Sequence, residues 1–65
     1  MDDKQEEIVK NMRVLSEDLY NLSFILEDYV RNENGDSEDY LKLVENMGEI
    51  KEKLSKEMSR LRRSL

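Results

Sequence analysis

Sixty-five residues carry 42% charged side chains, a net charge of −5, no cysteine and no histidine; this bounds the chain to one domain and excludes disulfide staples and the usual zinc and haem ligand sets. A core built by so short a chain rarely supplies more than about 3–5 kcal/mol, which leaves assembly with another chain as the route to further stability. Heavy charge, 6% aromatic residues, no proline and two glycines are the composition of exposed helices or a coiled coil.

The first element runs from about residue 3 to residue 32. Its apolar positions Ile8, Met12, Leu15, Leu19, Leu22, Leu26 and Tyr29 follow Met1 in alternating steps of four and three. Read as heptads, Met12, Leu19 and Leu26 sit at a, and Ile8, Leu15, Leu22 and Tyr29 at d. Asp2 or Asp3 caps the start, with Glu6 three residues after Asp3 as in a capping box. The pattern stops at 33–36, where Asn34 or Gly35 suits the left-handed residue that ends a helix. Asp36 or Ser37 then caps a second helix over about 37–63. Its stripe reads Tyr40, Leu43, Met47, Ile50, Leu54, Met58, Leu61 and Leu65, with one extra four-residue step from Leu54 to Met58. Such a step relaxes left-handed supercoiling locally.

A short turn between two helices predicts an antiparallel hairpin. Charge predicts it independently. Residues 2–31 hold eight acids and four bases, whereas residues 40–65 hold four acids and seven bases. Folding back places Asp2, Asp3, Glu6 and Glu7 beside Arg60, Arg62 and Arg63. The fold class is therefore all-α, a coiled-coil-like hairpin spanning 1–65 as a single domain. It completes a helical bundle by oligomerisation or by binding a partner.

Catalysis needs a positioned nucleophile, base or metal in a water-excluding pocket. Without His or Cys, and with a layout that offers no cleft, the expectation is a protein that is not an enzyme and takes no cofactor, metal or small-molecule substrate. The carboxylates Glu6, Glu7, Glu17, Asp18, Glu27 and Asp28 lie off the seam and read as a solvated face. Di-metal bundles use a Glu-x-x-His pattern, which is missing. The acidic turn lacks the spaced ligands and the bidentate twelfth-position Glu of a calcium loop.

What the first helix does have is more apolar surface than one seam uses. Val14 and Ile25 lie at c and g, with Phe24 near them, and Val9 and Tyr20 form a second pair on the other flank. Contiguous exposed apolar residues mark interfaces. The expected partner is a protein, a second copy of the chain, or both, anchored by Val14, Phe24 and Ile25. No apolar run approaches the roughly 20 residues of a membrane span, and no signal-peptide core is visible, so the expected location is the cytoplasm. Lys51, Lys53, Lys56, Arg60, Arg62 and Arg63 raise RNA or DNA binding as an alternative. The acids of the first helix and the net charge oppose it. Docking on an enzyme as a small inhibitor would use the same apolar surface.

The stretch from Arg31 to Tyr40, with Gly35 in the turn and Tyr40 opening the second helix, is similar to the small helical-hairpin co-chaperones of type III secretion needle subunits. The resemblance covers the turn, its flanks and the overall architecture. It implies a cytoplasmic complex with a helical-repeat chaperone and an aggregation-prone needle subunit. Elsewhere this chain departs from that pattern, with a more charged second helix and a more regular seam.

Overall fold

The computed structural model describes residues 2–32 and 36–65. Two helices, α1 (Asp3–Asn32) and α2 (Ser37–Ser64), pack against each other as an all-α hairpin. Apart from Asp36, the turn expected at 33–36 lies outside the described residues. So do the helix-ending roles expected of Asn34 and Gly35, and Met1.

Both helices begin with a reciprocal cap. At α1 the Gln5 backbone N–H donates to Asp2 Oδ1 (2.8 Å) and the Asp2 backbone N–H to Gln5 Oε1 (3.3 Å). The box is thus formed by Asp2 and Gln5, one register earlier than the expected Asp3 and Glu6. At α2 the Asp39 N–H donates to Asp36 Oδ1 (3.0 Å) and the Asp36 N–H to Asp39 Oδ2 (3.3 Å). Each box satisfies two N–H groups, one of them among the first-turn donors without an intrahelical acceptor. At the far end of α2 the Leu65 N–H reaches Arg62 O at 3.3 Å, a tightened last turn.

Side-chain bonds at the two ends fix the register between the helices. At the open end Gln5 Nε2 donates to Ser64 O (3.0 Å) and Ser64 Oγ (3.2 Å). At the turn end Tyr40 Oη donates to Tyr29 O (3.0 Å), and the two rings meet edge to face with centroids 6.1 Å apart. Stepping inward from both ends places Ile8 across from Leu61, Leu15 from Leu54, Leu19 from Ile50, Leu22 from Met47 and Leu26 from Leu43. All of these are buried or half-buried. Ile8, at 1% exposure, is the only fully buried side chain among the described residues. Two helices can shield a seam only from two sides, so the remaining layers stay half-open.

The seam corrects one expectation. Met58 is 45% exposed, while Glu57 is half-buried and stands in the seam across from Met12. With Glu57 included, the α2 steps run three and four without interruption from Tyr40 to Leu61. The slip expected at Leu54–Met58 therefore does not occur. The period of the helix holds, and a charged side chain occupies the inward position that apolarity had assigned to its neighbour.

Candidate protein-interaction face

In an antiparallel pair each helix presents two flanks, and position e of one helix borders e of the other while g borders g. Taking Tyr40, Met47, Leu54 and Leu61 as a and Leu43, Ile50 and Glu57 as d on α2 completes the assignment. Surface grooves agree with it. Asn11, Val14 and Leu15 of α1 share one groove with Lys53 and Glu57 of α2, and Lys4 and Ile8 share another with Arg60, Arg63 and Ser64. Lys4, Asn11, Lys53 and Arg60 are all g positions, so these grooves mark the g–g side.

The g–g side is polar. It carries Asn11, Asp18, Asn46, Lys53 and Arg60, with Val14 and Ile25 as isolated apolar exceptions. Glu57 leans toward it. Its Oε1 accepts from Arg60 Nη1 at 2.8 Å, and its side chain is only 16% exposed. Glu57 Oε2 is buried with no hydrogen-bond partner among the described residues.

The e–e side is different. From α1 it presents Val9, Tyr20 and Val30, and from α2 Leu41, Val44 and Met58, every one of them exposed. Ser16 and Ser23 on α1 and Gly48 and Ser55 on α2 separate them, together with the exposed, charged Arg13, Glu27, Lys51 and Arg62 at the same helical positions. The two serines of α1 turn inward on their own backbone, Ser16 Oγ donating to Met12 O (2.8 Å) and Ser23 Oγ to Tyr20 O (2.6 Å). Their hydroxyls are thereby satisfied without water, which lowers the cost of covering this face. Near the turn, Ser23, Leu26 and Val30 floor a shallow groove edged by Glu27 and Arg31, which pair with each other at 2.6 Å.

The expected binding residues therefore divide. Phe24 does not stand with Val14 and Ile25. It meets Tyr20 edge to face, centroids 4.7 Å apart, and the aromatic pair borders the e–e side. Val9 and Tyr20 lie on that side, and Val14 and Ile25 on the opposite flank. Val30, Leu41 and Val44 stand outside the expected set, because heptad spacing read one helix at a time does not say which flanks adjoin. The e-to-e rule of antiparallel pairing, applied to both helices, finds them.

Ion pairs do not knit the helices together as the charge gradient predicts. Among the described residues they run within a helix: Arg31 with Glu27, Lys42 with Glu38 and Arg60 with Glu57. Among the described residues no cluster of three carboxylates is placed to hold a metal ion, and no helix is long and apolar enough to cross a membrane.

The molecule is thus a helical hairpin with a polar g–g side and an e–e side on which exposed apolar side chains stand among a few charged ones. Neither a protein-family model, nor a curated protein, nor a solved structure matches the chain.

Proposed function

We propose that the hairpin is a non-enzymatic protein-interaction module, a small chaperone, adaptor or assembly factor that works by packing its apolar e–e face against other helices. The observation that carries this reading is that both helices leave apolar side chains exposed along the same side, with Tyr20 63% exposed and Val44 52% exposed on adjoining elements. Isolated exposed apolar side chains are ordinary, but a contiguous set signals an interface. A groove of this shape accepts an amphipathic helix through anchors spaced three and four residues apart. An aggregation-prone helical subunit, the client implied by the resemblance at the turn, fits such a groove. An enzyme carrying an exposed helix fits it too.

Nucleic acid is the second reading. The fold adds one cation to it, since Lys4 of α1 joins Arg60 and Arg63 of α2 around a single groove at the open end. The two readings separate on one experiment. The wild-type chain and a Tyr20→Asp, Val44→Asp double variant are immobilised and exposed to nuclease-treated and untreated extract, and each captured species is remeasured in purified form. A protein whose affinity falls at least tenfold in the double variant, and changes little between about 0.05 and 0.2 M salt, supports the proposal. Binding that disappears with nuclease, falls steeply with salt and ignores the double variant defeats it.

A further inference from the structure

The charge gradient of the sequence sets the acids of α1 against the cations that end α2, yet the structure leaves those cations free. Lys53, Lys56, Arg60 and Arg63 follow one another in steps of three, four and three along the g–g edge of α2, all exposed. At 1.5 Å per residue this stripe is about 15 Å long, close to three helical turns. Lys4 of α1 joins it around the groove that Arg60, Arg63 and Ser64 line. Of these five cations Arg60 alone forms an ion pair among the described residues, with Glu57 of its own helix. Asp3, Glu6 and Glu7 gather instead around Lys10 on α1.

We infer that the open-end half of the g–g side binds a short acidic helix of another protein, its carboxylates spaced three and four residues apart to meet Lys4, Lys53, Arg60 and Arg63. This goes beyond the reading above, which uses the opposite side of the hairpin. Charge complementarity selects the occupant, since cations at flanking positions of a helix pair choose acidic partner helices. The next groove toward the turn supplies a seat for such a helix. Asn11, Val14 and Leu15 line it together with Lys53 and Glu57, and Val14 is 55% exposed.

The same surface is poorly suited to nucleic acid, for three reasons. Glu57 stands in the middle of it, with Oε2 buried and unpartnered among the described residues. A phosphate backbone brings only further acceptors to that point, whereas a peptide side chain can donate a hydrogen bond there. The stripe is also short. Beyond Lys53 toward the turn lie Asp18, Asp39 and Glu49, so a polyanion longer than about three helical turns runs onto like charge. Finally, no aromatic ring lies along the stripe for bases to stack on; Tyr20 with Phe24, and Tyr29 with Tyr40, pair elsewhere.

The test uses the full chain and a fluorescent helical peptide of about 14 residues, with Glu at alternating three- and four-residue steps among Ala and Gln. A scrambled isomer of the same composition, a short DNA duplex and a single-stranded RNA are measured alongside by anisotropy at one salt concentration. The patterned peptide is expected to bind at least tenfold more tightly than its scramble. The double variant Lys53→Glu, Arg63→Glu should lose at least tenfold, and Lys53→Gln, Arg63→Gln should fall between it and the wild type. Both native side chains are exposed, so circular dichroism should show unchanged helix content. The Tyr20→Asp, Val44→Asp variant should bind the peptide as the wild type does. A scramble that binds equally well overturns the inference, as does a charge reversal without effect. A nucleic acid that binds more tightly than the patterned peptide overturns it in favour of the phosphate reading. Any of these results, with capture of a protein through Tyr20 and Val44 intact, removes the acidic-helix site and leaves the e–e reading standing.

Discussion

Glu57 shows how a single side chain can trade stability for definition. It fills an inward position of the seam, one carboxylate oxygen bonded to Arg60 and the other buried without a partner among the described residues. A buried acceptor left unpaired costs about 1–3 kcal/mol, and replacing a buried charge by an apolar residue of similar size is often stabilising. Glu57→Leu is therefore expected to raise stability by about 1–2 kcal/mol, seen as a higher urea midpoint with an unchanged slope. A fall in stability would mean that the carboxylate has a partner in solution. The native acid still has a use, because a lone polar residue in an apolar seam favours the one register that lets it reach the surface. Tyr40 does the reverse at the turn end. Its hydroxyl bonds the Tyr29 carbonyl at 3.0 Å in a half-buried position, so Tyr40→Phe should cost about 0.5–1.5 kcal/mol by the same measurement.

Each helix carries its own start signal. Asp36 takes part in both bonds of its capping box, its side chain accepting from the Asp39 N–H and its own N–H donating to the Asp39 side chain, at the junction where the chain must reverse. Asp36→Ala is expected to destabilise the hairpin by about 1 kcal/mol and to lower the unfolding temperature accordingly. Gly48 offers the opposite lever. It lies in the interior of α2 with open space around its missing side chain, so Gly48→Ala should stabilise the dilute protein by up to about 1 kcal/mol through helix propensity. At this scale the sequence was largely readable. The three-and-four spacing of Ile8 through Tyr29, and Asp36 before Ser37, give the helices and the hairpin without a structure. Glu57 was not legible, because apolarity points to Met58 for a position that the helical period assigns to an acid. For the first cap, where Asp2 and Asp3 are both candidates, spacing alone does not separate a box of Asp3 with Glu6 from the observed one of Asp2 with Gln5.

At the scale of the whole molecule, what sequence could not deliver was the face. A helical wheel of α1 shows two apolar flanks, Val9 with Tyr20 and Val14 with Ile25, and treats them as equals. They become unequal only when α2 is laid alongside in a fixed register, since Leu41, Val44 and Met58 then extend one flank and Lys53 and Arg60 border the other. That register was set by contacts such as Gln5 with Ser64, which no periodicity encodes. The consequence is a molecule whose single fully buried side chain, Ile8, gives the hairpin alone little to hold it. Anything that binds only the folded state raises its apparent stability by mass action. If a second copy of the chain, bound through the e–e side, is that ligand, the unfolding temperature must climb with protein concentration, and Val44→Asp must flatten the climb. Salt distinguishes this pairing from charge-driven binding, which is screened beyond a Debye length of about 10 Å at 0.1 M. Burial of Tyr20, Leu41 and Val44 is not screened, so the dimer should persist. Calorimetric scans at a series of concentrations, repeated in low and high salt, measure both at once. An unfolding temperature that ignores concentration in every buffer would leave the hairpin standing alone, with its apolar face open to a different helix.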